Sequence, residues 1–516
     1  MIETDNALGS CTAHADLPRR TMNVEVTAAG PAEIEADTLA LVAGGLLVRK
    51  LDALFEGRLT RSAAGADPIT VVEVGRELRA QRILLVATDG VDPEDVRTAA
   101  ARAVRASRGT ATVAWALDET LPMTEVRQLQ AVVEGAVLGS YDAGGWKTTA
   151  RKPAVERFVV CDVSDEIAGS ASRPELVARW TNIARELVDA PPNVIGPAGL
   201  AERAAAIPGL RVDILDATAA NLPALAAVGR SSTAPPRLIV LRHEPEGAPA
   251  RPHIALVGKA VTFDAGGYFL KQQSDIVRQK GDMAGGAAVL AALGAIAELE
   301  VPVSVTGVLA ACENMVGPDA IRPSDVIDTA AGLTVEVTNP DAEGRLILAD
   351  ALWYARAQGA TQLIDLATLT GAMRAGMGDL FAGVFGNDDE WRDAIVDAGI
   401  AVGDLAWAWP LHARYHRLLE SRVADLKNTS GRPYGYPITA AAFLERFAGG
   451  AQWAHVDMLG PALLDDDRGD AFGAGASGYG VRLLVEVVSR VAAALRTRFR
   501  LDPMRALRAR QEADDD

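Results

Sequence analysis

Three short polar clusters interrupt an apolar, glycine-rich part of this chain. They are Lys259-Ala-Val-Thr-Phe-Asp264-Ala-Gly-Gly-Tyr-Phe-Leu-Lys271, Lys280-Gly-Asp282-Met-Ala-Gly-Gly and Asn339-Pro-Asp341-Ala-Glu343-Gly-Arg345-Leu. A charged side chain in such surroundings is costly unless it is paired or bound to a metal. Asp264, Asp282, Asp341 and Glu343 supply four negative charges, which two divalent cations balance, so the first expectation is a two-metal hydrolytic centre. Oxygen donors favour hard or borderline cations, and a borderline ion such as Zn²⁺ also accepts nitrogen from a neutral amine. Lys259 qualifies as that amine provided nearby cations depress its pKa from the usual value of about 10.4. Lys271 and Arg345 are not needed as ligands, stay cationic, and suit charge that develops in a transition state. Water shared by two cations has its pKa lowered from about 15.7 towards about 7, which supplies hydroxide for attack on a carbonyl or phosphoryl group.

Three separated segments must be brought together for this to work. Apolar runs at 211–215, 237–241, 254–258 and 303–311 read as strands, the third running straight into Lys259. A strand over 333–338 is expected to deliver Asp341 and Glu343 in the loop beyond it, where a spacing of two lets extended-chain side chains point the same way. Asp264 is expected at a neighbouring strand end, with Gly266 and Gly267 allowing close backbone approach. Helices are expected over 283–299 and 346–358, and a strand and turn over 362–371. In open α/β sheets ligands gather beyond the carboxyl ends of strands, which is where these clusters fall.

The rest of the chain predicts an α/β protein of more than one domain, because 516 residues exceed one ordinary core. Residues 1–22 lack any period and read as a flexible extension. Residues 23–168 alternate strands (82–89, 111–117, 157–162) with helices (93–107, 123–138) and form a smaller N-terminal α/β domain. That domain shows no chemical constellation and reads as a packing or assembly unit. A linker is expected at 165–172, then a larger mixed-sheet catalytic domain over 173–496 opening on a helix at 175–189, then a charged, fraying tail over 497–516.

Composition narrows the function classes. Acidic residues outnumber basic ones by 68 to 51, a formal charge of −17, which opposes a general role on nucleic acid or anionic membrane. The three cysteines are scattered and odd in number, so neither a disulfide framework nor a thiolate zinc site is supported, and a reducing cytoplasm is the expected setting. No signal-peptide pattern and no run of 18 or more apolar residues is present. The six histidines contain no His-Glu-x-x-His pattern, and the pair His412 and His416 reads as a solvated helix face.

The clusters resemble the leucyl aminopeptidase (cytosol aminopeptidase) family of two-metal exopeptidases, whose signature Asn-Thr-Asp-Ala-Glu-Gly-Arg-Leu stands here as Asn339 to Leu346 with Pro340 for threonine. Similar segments are 184–193, Glu313-Asn-Met315 with Arg322-Pro323, 365–371, 439–443 and 453–457, so the likeness is collinear over roughly 175 to 490. Over the N-terminal domain, which the resemblance makes macro-like, it is topological only. The resemblance implies that Lys259, Asp264, Asp282 and Glu343 hold a tight metal, and that Asp264, Asp341 and Glu343 hold an exchangeable one, with Mn²⁺ or Zn²⁺ as the ions. It makes Lys271 the electrophile that polarises the scissile carbonyl, Arg345 the holder of a bicarbonate general base, and the free α-amine of a peptide a metal ligand. It also implies a homohexamer of two stacked trimers.

Departures from the family pattern fall mainly on the pocket for the first side chain. Gln279 stands where an apolar residue, often methionine, is usual; Thr368, Gly371, Leu459 and Ala462 are the other positions expected there. A polar wall weakens any preference for leucine, since a buried amide wants a partner. Gln272 also replaces the usual proline after the catalytic lysine. Two other readings remain beside the aminopeptidase. One is a narrow dipeptidase acting on Cys-Gly conjugates or a biosynthetic intermediate; the other is a non-enzymatic DNA-binding or assembly protein, against which the acidic charge and the complete ligand set both speak.

Overall fold

The computed structural model describes residues 22–501 apart from 66, 76–77, 89–91 and 150, so the expected N-terminal extension, Met22 aside, and the tail beyond 501 lie outside the described residues. The chain divides into two compact units: Met1–Ala178 with Gly469–Phe472, and Arg179–Arg468 with Gly473–Asp516.

In the N-terminal unit six strands among the described residues form one sheet, in the order Asn23–Val26, Arg157–Cys161, Thr112–Ala116, Thr38–Val42, Arg82–Val86, Ile69–Glu73. All neighbours are parallel except the edge strand Ile69–Glu73. Helix Pro93–Ala106 starts where Asp92 accepts from the Glu94 and Asp95 amides, with proline at a position that needs no donor. Helix Glu125–Ser140 is capped by Thr124. The segment 165–172, read from composition as a linker, is helical. Asp165–Ala168 and a 3-10 turn over Gly169–Ala171 lead into helix Ser172–Asp189. Pro174 does not break that helix because it sits in the first turn, where amides have no intrahelical acceptor.

The larger unit is built on eight strands: Ala406–Ala408, Ala382–Gly386, Gln452–Asp457, Gln362–Ala367, Ile254–Asp264, Val305–Asn314, Arg237–His243 and Arg211–Asp216, in that spatial order among the described residues. The middle four run parallel. Antiparallel pairing flanks them on both sides, so the sheet is mixed. Gly258 and Ala260 face Gly286 of helix Ala284–Glu298, while Lys259 between them faces Gly344 of helix Glu343–Ala357, so the helices cover opposite faces of the sheet. The segment Gln279–Glu298 is long and apolar enough to cross a membrane, yet 89% of its most apolar 18-residue stretch is buried here, because small residues let it pack directly on the strands.

Three expectations are corrected. Lys259 does not lie past a strand end but in the middle of an 11-residue strand. A strand covered on both faces reads as one apolar run, and the buried lysine inside it looks like an interruption. The strand that leads to Asp341 spans only Thr334–Glu336 and belongs to a separate three-stranded sheet with Val326–Asp328 and Leu426–Lys427. Finally, helix Val481–Leu501 continues through 497–501, where charge suggested fraying.

Candidate metal centre

The four parallel strands bring their carboxyl ends to one place. Ile254–Asp264 ends on Asp264 and Val305–Asn314 on Asn314, while Thr368 follows Gln362–Ala367 and Leu459 follows Gln452–Asp457. Asp282 closes the turn Gln279–Gly281 in front of helix Ala284–Glu298. Asp341 lies in the loop after the small sheet, and Glu343 is not in that loop, as its spacing suggested, but is the first residue of helix Glu343–Ala357.

The Lys259 ammonium is 2.7 and 2.8 Å from the two Asp282 oxygens, 2.8 Å from Glu343 Oε1 and 3.1 Å from the Thr368 carbonyl. It passes so close to the start of helix Glu343–Ala357 that a Cβ on Gly344 would stand 2.6 Å from Lys259 Cε. The Thr368 hydroxyl donates to Asp282 Oδ1 at 2.7 Å. Lys271 meets Asp264 Oδ2 at 2.8 Å and Asp341 Oδ1 at 2.5 Å. Asp264 Oδ1 accepts from the Gly266 amide at 2.9 Å. Gly266 has φ of 87°, and a Cβ there would lie 2.8 Å from Asp341 Oδ1, so glycine is required on both counts. Lys259, Asp264, Asp282 and Glu343 are all buried.

Ligating oxygens of Asp264, Asp341 and Glu343 lie within 4.8 Å of one another. Burial, then the charge of Glu343, raises the pKa of Asp264 and brings Asp341 to about 7. Burial likewise pushes Asp282 well up, against the pull of Lys259. Glu343 is the exception: burial opposes its charge, but Lys259 and Lys271 outweigh burial and lower its pKa. Four carboxylates thus share too little positive charge for all to ionise easily. In addition, buried Glu343 Oε2 has no hydrogen-bond partner among the described residues. A donor set short of positive charge, with a carboxylate oxygen left open, fits divalent cations.

Two asparagines to which the sequence assigned no role hold the loops in register. Asn314 donates to Asp264 Oδ1 at 2.8 Å and to the Pro340 carbonyl at 3.1 Å, tying two ligand segments together. Asn428 accepts from the Thr338 and Asn339 amides at 2.8 and 3.2 Å and donates to the Asn339 carbonyl at 2.7 Å. Its own carbonyl takes the Arg345 Nη1 proton at 2.7 Å. Arg345 is buried with its guanidinium 5.1 Å from the centre of the Tyr436 ring. The segment around Asn428 has no periodic or charge signal, so only its contacts reveal it. Replacing Asn428 with alanine orphans several buried groups at about 1–3 kcal/mol each. The expected result is a lower melting temperature and metal affinity weakened by roughly 10–100-fold, as for other partners that orient ligands. Metal titration of the variant checks this.

The residues expected around the first side chain gather at the same end of the sheet, but not all as free walls. Thr368 is committed to Lys259 and Asp282 through both its oxygens. Gly371 opens the exposed helix Gly371–Met377, whose end meets the turn Leu459–Ala462 where Gly460 packs on the Gly378 carbonyl. Leu459 is half-buried and Ala462 buried. Gln279 donates to the Asp275 carbonyl at 3.1 Å, in a turn whose Gly281 packs on Leu463. Arg278 and Arg374 share the Asp465 carboxylate beside this group, a charge pairing that sequence reasoning missed. His412 and His416 do not share a helical face: His412 caps a 3-10 turn over Ala413–Leu419, and His416 pairs with Glu445 at 2.7 Å.

Comparison with known proteins shows the family. Residues 182–485 match the family model described as the cytosol aminopeptidase family, catalytic domain. A probable cytosol aminopeptidase of Solibacter usitatus is 39% identical over 436 residues, covering 82% of this chain and 90% of the relative. One of Roseiflexus castenholzii is 38% identical over 493 residues, covering 90% and 99%. Among solved structures, a tomato leucine aminopeptidase variant superposes with a TM-score of 0.83 at 32% identity, over 92% of this chain and 97% of that one. The bottromycin maturation enzyme BotP in complex with Mn superposes with a TM-score of 0.79 at 32% identity, over 89% and 100%.

Proposed function

This chain belongs to the cytosol aminopeptidase family and is a metalloexopeptidase, and on that premise we propose that Lys259, Asp264, Asp282, Asp341 and Glu343 hold two divalent cations, Mn²⁺ or Zn²⁺, for removal of the first residue of a peptide. The observation that carries this reading is the convergence of Asp264, Asp341 and Glu343 within 4.8 Å, with Asp282 linked to them through Lys259. When bound, two such cations supply a water acidic enough to attack a carbonyl at neutral pH. Lys259, held as an ammonium by Asp282 and Glu343, has to lose its proton to join the ligands, and nearby cations favour that loss.

Lys271, partly open to solvent, has its charge directed at the centre, where it steadies the oxyanion of the breaking amide. Arg345 is the candidate holder of a bicarbonate base, and its buried Nε, without a hydrogen-bond partner among the described residues, is the group available for it. Metal ligation of the substrate's α-amine restricts cleavage to the first bond. The same reading makes the protein a cytoplasmic homohexamer acting on peptides, its net charge of −17 opposing polyanions.

A second reading, a narrow-specificity dipeptidase acting on Cys-Gly conjugates or a biosynthetic intermediate, is supported by the likeness to an enzyme named for bottromycin maturation and by the polar Gln279 at a position expected to line the first-residue pocket. Metal analysis with a panel of peptides starting with Leu, Met and Arg, together with Cys-Gly, separates the two. Broad turnover supports the general aminopeptidase, and turnover confined to one substrate supports the narrow-specificity one. Inactivity on all by the metal-loaded enzyme counts against both.

A further inference from the structure

The positions expected around the first side chain, Thr368 apart, lie on three short segments that border Asp282 and Thr368. The turn Gln279–Gly281 runs into Asp282, helix Gly371–Met377 starts three residues after Thr368, and a strap over 459–468 follows strand Gln452–Asp457. Packing joins the strap to each of the other two, through Leu463 against Gly281 and Gly460 against the Gly378 carbonyl. Strand Leu463–Leu464 within the strap also pairs with Gly475–Ala476. None of these contacts joins the turn to the helix.

Charge makes that connection. One oxygen of the Asp465 carboxylate pairs with Arg278, the neighbour of Gln279, and the other with Arg374, which lies three residues after Gly371 and so on the same face of its helix. Arg278 also donates to the Leu463 carbonyl at 3.3 Å, and Arg468, at the far end of the strap, donates to the Asp379 carbonyl at 2.6 Å just past the helix. Two guanidinium groups thus share one carboxylate. Burial, then the like charge of Arg374, lowers the pKa of Arg278, with Asp275 pulling the other way. Without Asp465 the two like charges are left side by side and repel, which pushes the turn and the helix apart. The Asp465 side chain is 47% exposed, so its replacement spares the packed contacts of the strap, and its ion pairs are open to screening by salt.

Resting on the aminopeptidase reading, we propose that Asp465 is a positioning residue that sets the width of the first-residue pocket by holding Arg278 and Arg374 together, so that bulky first side chains are disfavoured. Kinetics of the metal-loaded full chain on alanyl and phenylalanyl p-nitroanilides test it. Asp465→Asn keeps the shape and removes the charge. It should raise the phenylalanyl-to-alanyl ratio of kcat/KM by about threefold or more, the size expected of two partly exposed ion pairs, through KM and with metal content unaltered. Asp465→Glu should retain most of the original discrimination. In the unchanged protein, going from about 0.1 to about 1 M NaCl shortens the screening length from about 10 to about 3 Å and should move the ratio the same way, whereas in Asp465→Asn it should not. A merely structural aspartate would lower the melting temperature or kcat on both substrates and leave the ratio and its salt response alone, and that result overturns the proposal. An unaltered ratio in Asp465→Asn, with the unchanged protein cleaving both substrates, overturns it too and leaves the aminopeptidase reading standing. Inactivity of the unchanged metal-loaded protein on both substrates overturns that reading and this inference with it.

Discussion

Replacing Glu343 with alanine is expected to abolish peptide hydrolysis and to strip most bound metal from the protein. Glu343 is where the site's interactions concentrate: Oε1 lies 2.8 Å from Lys259, a ligating oxygen lies within 4.8 Å of those of Asp264 and Asp341, and Oε2 is open. It begins a helix, whose amide dipoles favour a negative charge at that end. It is also the one carboxylate of the four whose pKa is lowered rather than raised. Its loss leaves Asp264 and Asp341 alone around the exchangeable position and Lys259 with Asp282 as its only ion-pair partner. Removing one partner of a buried ion pair costs about 3–5 kcal/mol, so the alanine variant also loses stability. Glu343→Gln keeps the shape while discarding the charge, and should fold yet bind metal poorly. Elemental analysis beside a leucyl-peptide assay reads both effects, and normal hydrolysis by either variant would contradict the ligand assignment.

Lys271→Met is expected to lower kcat by about 10²–10³-fold, equivalent to about 2.7–4 kcal/mol of lost transition-state stabilisation, while metal content stays near that of the unchanged protein. Lys271 sits between Asp264 and Asp341, and those carboxylates, with Glu343, outweigh burial and raise its pKa, so it is a permanent cation at neutral pH. Its role separates cleanly from that of a neutralising counter-charge. If it served only to offset Asp264 and Asp341, methionine would change metal affinity and leave turnover at saturating metal intact. If it holds the oxyanion, turnover falls even with both positions filled. Arginine in its place should not restore activity, because a planar fork does not reproduce a compact ammonium at 2.5–2.8 Å from two acids. Steady-state kinetics over a metal series decides the matter, and a kcat within threefold of the original would remove Lys271 from the mechanism.

The proposed ligand residues were legible in the sequence because each lies beside a glycine or another candidate ligand within a few positions. Charge on so apolar a background has few explanations, so Lys259, Asp264, Asp282, Asp341 and Glu343 stood out before any contact was known. Regular strands and helices such as Arg157–Cys161 and Ala284–Glu298 were legible for a related reason, since hydrophobic periodicity is local. Local pattern misled where burial on both faces erased the alternation, as around Lys259. It misled again over 165–172, where small and polar residues read as a linker but form helical turns that lead into helix Ser172–Asp189.

Only the tertiary structure decided how the ligand segments meet. Asp341 and Glu343 arrive from a small separate sheet, and the residues that hold their loop, Asn314 and Asn428, are 26 and 89 positions from the Pro340 and Asn339 groups they bind. Nothing in the neighbourhood of an asparagine announces a partner so distant, because strand pairing and loop clamping depend on residues far apart in the chain. The amino-acid sequence therefore determined which groups were available for chemistry. Their spacing in three dimensions, and hence which charges are close enough to share a cation, came from long-range packing.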